Sequence, residues 1–341
     1  MPLFPTGRTP FNISPADVDR RVKLTMTNSR MGDNPTVLPK DMDRLEGVLF
    51  RWTGGFKKGI LRVRTRRGDE YGVRAKDIKT IRVQPPEVSS YDMQRLAQQA
   101  WPPLVTDAMG EWELRCSQGG TNRANSVRVA GPPGRQMSSM TRMIADWYGE
   151  RGVSPLLQVT RPSGFDDELE SAGWKRFRAG RVMTTSVARL ATETAAVRER
   201  NDLEVEIREQ ANPEWLSLFR AYSPDTATEV DHIMESGAPS AFVYCRNNAG
   251  ELLGIGRATL QDTWVGATVL DTVPQSRRRG IASAVTATMA HWALTMQASN
   301  WYVMVFNDNA AARALWERYG ATTHHQYDYW ALDEDALGSY E

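Results

Sequence analysis

Little in this chain points to an oxidising compartment, a membrane or a strongly charged partner. Its 341 residues include two cysteines, Cys116 and Cys245, too few for a disulfide framework, so a cytoplasmic protein is expected. The opening MPLFPTGRTPFNISPADVDRR lacks the apolar core of a signal peptide, and no run approaches the roughly 20 apolar residues that span a bilayer. A formal net charge of +1 names no partner, and the local signature of a hydrolase nucleophile is missing. What the chain does have is bulk. With 41% hydrophobic residues it can build real cores, and its length suggests about two or three domains.

Residues 1–13 are expected to form a flexible tail. Short β-like runs follow at Arg21–Met26, Leu45–Arg51, Ile60–Arg66, Glu70–Val73 and Ile78–Val83, split by GG, KKG and RRGDE turns. Five such strands predict a small β-barrel over 14–87, closed by Pro85 and Pro86. Arg62, Arg64 and Arg66 alternate with Leu61, Val63 and Thr65, giving one basic and one apolar face. Arg51–Arg82 holds eleven Lys or Arg against three Asp or Glu, a local +8 that leaves −7 for the rest. Nucleic acid is one partner for such a face, but only Trp52, Phe56 and Tyr71 offer stacking. A solvated face packed on a neighbouring domain is favoured.

Beyond the barrel, Val88–Trp101 reads as a helix, and Glu111–Cys116 and Ser126–Val129 as strands flanking QGGTNRAN. Met137–Arg151 is a helix, Leu156–Thr160 a strand and Phe165–Gly173 a short helix. The Ala, Thr and Glu-rich segment 191–202 reads as a linker.

The densest signal lies between Leu270 and Gly320. Val265–Val273 is β-rich and ends at Pro274. Ile281, Val285, Met289, Trp292 and Met296 then recur every three or four residues, as one face of an amphipathic helix. Arg277, Arg278, Arg279 and Gly280 therefore sit at a helix N-terminus, where unpaired N–H groups and the positive dipole end favour an anion. Gly280 lets a phosphate approach the backbone. Trp301–Phe306 is a further strand, and from Asn309 a second helix carries Ala312, Leu315, Trp316 and Tyr319.

The RxxGxA turn at Arg277–Ala282, followed about 30 residues on by NxxAxxLWxxxG at Asn309–Gly320, resembles the GNAT superfamily of acetyl-coenzyme A dependent N-acetyltransferases. The likeness runs from Leu203 to about Ala331. DELESAGW at Asp167–Trp174 echoes the ALWERYGA run without an RxxGxA turn, so 88–190 reads as a degenerate, cofactor-free GNAT-like half that can still wall the acceptor pocket. The expected fold is α/β (α+β): a C-terminal catalytic GNAT domain over 203–335 with a mixed, splayed sheet, preceded by the degenerate half and the small barrel. That barrel, TNRANSV at Thr121–Val127, PLLQV at Pro155–Val159 and THHQYDY at Thr323–Tyr329 together resemble a group of actinobacterial GNAT proteins with an N-terminal SH3-like barrel. Members of that group have been described as N-acetylglutamate synthases, others as protein or histone acetyltransferases.

The resemblance implies that backbone groups of Leu270, Asp271 and Thr272 meet the pantetheine arm and the thioester carbonyl, with an N–H placed to stabilise the developing oxyanion. It implies that Arg277, Arg278, Arg279, Gly280, Ile281, Ala282 and Ser283 cradle the pyrophosphate, and that Asn309 holds the cofactor from the other side. The chain also departs from the family. Many members carry a glutamate five residues before the motif asparagine, where this chain has Met304. They carry a tyrosine where it has Trp316, and an indole cannot reprotonate a thiolate as a phenol can. Ala321 replaces the usual phenylalanine.

The acceptor amine must therefore lose its proton by another route. Asp271, inside the apolar run Val269–Val273, is the first candidate base; pairing with an arginine or facing water is its other reading. Tyr319, one turn beyond Trp316, is the candidate acid, with core packing as its other reading. His324, His325 and Asp328 share the last strand. Adjacent strand residues face opposite sides, so the histidines are not expected to share a metal, and no metal cofactor is expected. Glutamate as acceptor would need an arginine fork and neutral donors. Arg123, Asn125 and Ser126 are the candidates, with Arg257 and Arg313 available near the cofactor. An acidic groove holding Glu229, Asp231 and Glu235 would instead suit a basic protein tail. The expectation is direct attack of an acceptor amine on acetyl-coenzyme A, with L-glutamate favoured, which would begin arginine biosynthesis. A protein or histone lysine acetyltransferase and a non-catalytic acetyl-coenzyme A sensor are the alternatives. The chain has no amino-acid-kinase-like domain, so regulation would act through the barrel, the degenerate half or a homo-oligomer interface.

Overall fold

The computed structural model describes residues 20–26, 44–53, 59–65, 69–83, 88–117, 121–131, 133–198, 201–222, 231, 234 and 238–332. The expected tail, Phe56, Glu229 and Glu235 lie outside them. In the N-terminal region β1 (Arg20–Met26), β2 (Arg44–Thr53), β3 (Ile60–Arg64), β4 (Glu70–Arg74) and β5 (Ile78–Val83) form one antiparallel sheet in the order β4-β3-β2-β1-β5. A single 3-10 turn, Ala75–Asp77, joins β4 to β5. Leu61 and Val63 are buried while Arg62 and Arg64 are exposed, so period-two patterning sets which face packs. Among the described residues β4 and β5 share no ladder, which leaves this sheet open along one seam.

The remaining chain runs α1 (Ser90–Ala100), β6 (Val105–Met109), β7 (Trp112–Cys116), β8 (Val127–Val129), α2 (Met137–Gly149), β9 (Leu156–Arg161), α3 (Asp166–Ser171), β10 (Lys175–Ser186), α4 (Val187–Arg198), β11 (Leu203–Arg208) and α5 (Pro213–Tyr222). It continues with β12 (Ser240–Asn247), β13 (Leu252–Gln261), β14 (Trp264–Thr272), α6 (Ile281–Thr295), β15 (Asn300–Phe306), α7 (Ala310–Arg318) and β16 (Thr322–Ala331). Strands β6 to β16 make one sheet of eleven, ordered β11-β12-β13-β14-β15-β10-β16-β9-β8-β7-β6.

That order corrects the division into consecutive halves over 88–190 and 203–335. Strand β10 from the first half lies between β15 and β16 of the second, and β16 lies between β10 and β9. The reason is burial on both faces. Val182 packs against α1 while Met183, next to it, packs in the core beneath α6, and a strand apolar on both faces needs a strand on either edge. The supposed linker 191–202 is also corrected. Most of it belongs to α4, whose Val187 and Leu190 are fully buried with Val285 and Met289 of α6.

Helices α4, α6 and α7 cover one face of the second half, and α1 and α5 the other. Ser89 caps α1, its hydroxyl accepting from the Asp92 N–H at 3.0 Å. Although α1 belongs to the first half, it lies across β13 and β14 and buries Met93, Ala97 and Ala100 beside Trp264 and Tyr302. On the opposite face α6 docks closely on β13: a Cβ on Gly254 would fall 2.6 Å from Ile281 Cγ2, and one on Gly256 would overlap Val285. Gly256→Val is therefore expected to lower stability by about 1–3 kcal/mol through overpacking. Urea denaturation checks this, and an unchanged midpoint would show that α6 does not need the bare backbone.

Candidate functional site

Strands β14 and β15 run parallel but pair only through Trp264–Ala267 and Asn300–Val303. Past that point β14 continues to Thr272 and β15 to Phe306 without a ladder between them. The cause is a bulge: Arg257 opposes Val269 and Ala258 opposes Ala267, so Thr268 is an extra residue that bends β14 away. Leu270, Asp271 and Thr272 thus keep β13 on one edge and present backbone groups to an open wedge on the other.

At the end of that wedge the chain makes a 3-10 turn, Pro274–Ser276, and enters α6. Arg278 and Gly280 both have positive φ, 62° and 79°, so successive backbone N–H groups turn inward as a nest for an anion. Gly280 is the N-cap and offers no side-chain cap. The N–H groups of Ile281, Ala282 and Ser283 in the first helical turn have no intrahelical acceptor. Arg277, Arg278 and Arg279 are exposed around this turn, and Arg277 donates to the Thr272 carbonyl at 3.4 Å. An extended wedge that ends at an uncapped, basic helix N-terminus fits a long ligand with a phosphorylated end, as acetyl-coenzyme A is. Gly280→Glu combines a strained φ with a negative charge. It is expected to abolish acetyl-coenzyme A binding in calorimetry, and wild-type affinity in the variant would place the phosphates elsewhere.

Two expected site residues also have structural places. Asn309 caps α7, its Oδ1 accepting from the Ala312 N–H at 2.9 Å, so its carbonyl oxygen is spent on the helix. Tyr319 is at the far end of α7, about 15 Å along the axis from Asn309, buried in the core with Trp316 and α6. Its place is packing. Trp316 lies 6.0 Å from Trp301 between ring centroids, at the closed base of the wedge where Trp301 pairs with Val265.

Asp271 is half-buried on the face shared with Val269, Ile255 and Arg257. Among the described residues its carboxylate has no hydrogen bond or ion pair. Burial raises its pKa above the usual carboxylate range, and the charge of Arg277 opposes this. A carboxyl raised by burial suits a base for a nearby amine. The protonated form fits the site better than the charged one, so its favourable contribution is present at low pH and lost as pH rises through the raised value. Asp271→Asn is therefore expected to melt higher than wild type at pH 7 and no higher at pH 3, while kcat falls about 100-fold or more. A lower melting temperature at pH 7 would overturn this assignment.

The TNRANSV segment divides. Asn125 is buried, its Oδ1 accepting from the Ser117 N–H at 2.7 Å and its Nδ2 donating to the Thr121 carbonyl at 3.0 Å. Ser126 is fully buried and accepts from Arg115 through its hydroxyl at 2.9 Å and its carbonyl at 2.7 Å. Both shape the loop and leave the acceptor to other groups. Arg115 is itself buried among neutral partners, and desolvation lowers its pKa to about 10. Arg123 differs: it is half-buried, 6.0 Å from the Trp101 ring centroid, and no carboxylate among the described residues pairs with it. Arg257 is fully buried 5.7 Å from the same ring, with its donors on Met234, Ala100, Thr268 and Ser240. It is not free for substrate, a further correction, and Arg313 sits half-buried on α7. Asp231 is ion-paired with Arg220. Trp101, at the end of α1, thus lies near two guanidinium groups, with its indole Nε1 buried and without a partner among the described residues.

His324 and His325 do not face opposite sides. A bulge at His324, between the pairs Val182–His325 and Met183–Thr323, brings their Nδ1 atoms to 2.8 Å. His325 Nε2 meets Gln94 at 2.9 Å, and burial pushes its pKa down to about 3. The pair borders a cleft of about 1090 Å³ with Arg161, Asp166, Arg176 and Asp328. Among the described residues no three His, Cys, Asp or Glu gather as a metal site.

Comparison with known proteins points to the same family as the sequence motifs. A family described as "Probable histone acetyltransferase Rv0428c C-terminal" matches residues 92–330. A curated relative, the uncharacterized N-acetyltransferase YobR of Bacillus subtilis (strain 168), is 21% identical over 242 residues, covering 70% of this chain and 96% of YobR. A GCN5-related N-acetyltransferase from Kribbella flavida superposes with a TM-score of 0.57 at 12% identity, covering 72% of this chain and 96% of that one. A tandem GNAT protein from the clavulanic acid biosynthesis pathway gives 0.51 at 12% identity, covering 72% and 89%.

Proposed function

We infer, for a chain that belongs to the family described as probable histone acetyltransferase Rv0428c C-terminal and is an N-acetyltransferase of the GNAT type, that the acceptor is the α-amine of L-glutamate. The observation that carries this reading is Arg123. A half-buried guanidinium with no carboxylate partner among the described residues, beside a second buried cation, favours an acceptor that brings its own carboxylate. Acetyl-coenzyme A supplies an activated acetyl carbonyl when bound. The cradle from Arg277 to Ser283 holds its phosphates, and a backbone N–H on the open edge of Leu270–Thr272 stabilises negative charge growing on that carbonyl oxygen. Asp271 takes a proton from the amine as the nitrogen bonds to the acetyl carbon, and the carbon–sulfur bond breaks with its electron pair on sulfur, so coenzyme A leaves as the thiolate and is protonated by solvent. The five-stranded N-terminal sheet is proposed to be the SH3-like barrel of the related group.

The test is release of free coenzyme A thiol with L-glutamate set against other amino acids, polyamines and lysine peptides. Saturable release with glutamate supports the assignment. Release with lysine peptides alone supports protein acetylation, and cofactor binding without turnover on any amine supports a sensor. Arg123→Ala is expected to raise KM for glutamate about tenfold or more with little change for acetyl-coenzyme A, since each lost charge-assisted bond is worth about 1.5–3 kcal/mol. Equal effects on both would remove Arg123 as the carboxylate clamp.

A further inference from the structure

We propose that Arg257 is a positioning residue for acetyl transfer, fastening the acceptor wall contributed by the first half to the bulge that opens the cofactor wedge. The proposal rests on the acetyltransferase reading but not on glutamate. Its basis is the distribution of one guanidinium's hydrogen bonds. Nη1 donates to the Ala100 carbonyl at 2.8 Å and to Thr268 Oγ1 at 3.0 Å. Nη2 donates to the Met234 carbonyl at 2.6 Å and to Ser240 Oγ at 3.2 Å, and Nε to the same Met234 carbonyl at 3.1 Å.

Those partners belong to four separate stretches of chain. Ala100 ends α1 and directly precedes Trp101, whose ring lies against Arg123. Thr268 is the extra residue at which β14 leaves β15. Met234 precedes β12, and Ser240 begins it. The planar, rigid fork fixes the angles among all four at once, which a flexible ammonium would not do.

Every partner is a neutral oxygen. Desolvation above all, with a smaller contribution from the charge of the neighbouring Arg123, lowers the pKa of Arg257 to about 10. A buried cation with no counter-charge among the described residues is a costly way to fill space, and an apolar side chain of similar volume would pack there more cheaply. What the guanidinium adds is geometry. On the sheet Arg257 opposes Val269, and Ile255, two residues before it, opposes Asp271. Displacing it would therefore shift the acceptor wall and the Thr268–Asp271 edge relative to each other, and a misplacement of about 1 Å can cost about 100-fold in rate.

The experiment compares Arg257→Met, Arg257→Lys and Thr268→Val with wild type. It measures kcat and KM on whichever amine the acceptor panel identifies, the Kd of acetyl-coenzyme A by calorimetry, and thermal melting. Arg257→Met is expected to lower kcat at least tenfold and raise acceptor KM, with the acetyl-coenzyme A Kd held within about twofold, and Arg257→Lys to restore part of kcat. Thr268→Val removes only the hydroxyl on the bulge, so it should lower kcat without moving the melting temperature. Wild-type kcat in folded Thr268→Val, or parallel loss of cofactor and acceptor affinity in Arg257→Met, overturns the proposal. If glutamate fails as acceptor but a lysine peptide is acetylated, the same split on the peptide still supports it. A wild type that turns over no amine overturns it together with the enzymatic reading, a failure visible before any variant is made.

Discussion

A backbone ladder cannot continue and admit a ligand in the same place. Strand β14 resolves this at Thr268, where one extra residue ends its pairing with β15 while β13 still holds its other edge. Everything assigned to acetyl transfer depends on that parting. The edge from Leu270 to Thr272 gains free polar groups, the cradle at Gly280 follows a few residues later, and Asp271 is carried to the rim on a strand that is anchored rather than loose. The energetic burden falls on the facing side, where α6 must come close enough to β13 to put its N-terminus beside the wedge. Gly254 and Gly256 permit that approach by leaving no Cβ to obstruct Ile281 and Val285.

The second constraint is the exchange of closing strands. With β10 inside the second half and β16 inside the first, the two halves share one hydrogen-bonded sheet and cannot move as separate bodies without breaking it. This gives the first half a use although it carries no RxxGxA turn. Its helix α1 lies over β13 and β14, and Trp101 at the end of α1 brings Arg123 and Arg257 near one ring, the wall that the proposed acceptor site would use.

Local chemistry was legible from the sequence, and long-range pairing was not. The Arg277–Ser283 turn depends on a φ that glycine adopts readily and on helix polarity, both of which act within a few residues, and the turn is where the sequence places it. Elements with strong periodicity, such as α2 and α6, end within two residues of the expected bounds. By contrast, β6 and β10 are strands that the sequence pattern does not announce, and most of 191–202 is helical because a distant helix, α6, buries its apolar side. Asn125 and Ser126 looked like ligand-binding polar residues until Arg115 and Ser117 were seen to claim them from within the fold. The bulges at Thr268 and His324 leave no sequence signature, since each is a one-residue surplus defined only against a partner strand.

The exchanged strands also bear on how the chain is made. Strand β9 and everything before it emerge from the ribosome long before β16, yet β9 has only β8 beside it until β16 arrives. For most of synthesis the first half therefore exposes an open, apolar edge at Leu156–Val159, the kind of edge that recruits stray strands. The same distant pairing that unifies the finished enzyme makes the nascent chain dependent on its last strand, and on whatever shields β9 in the interval.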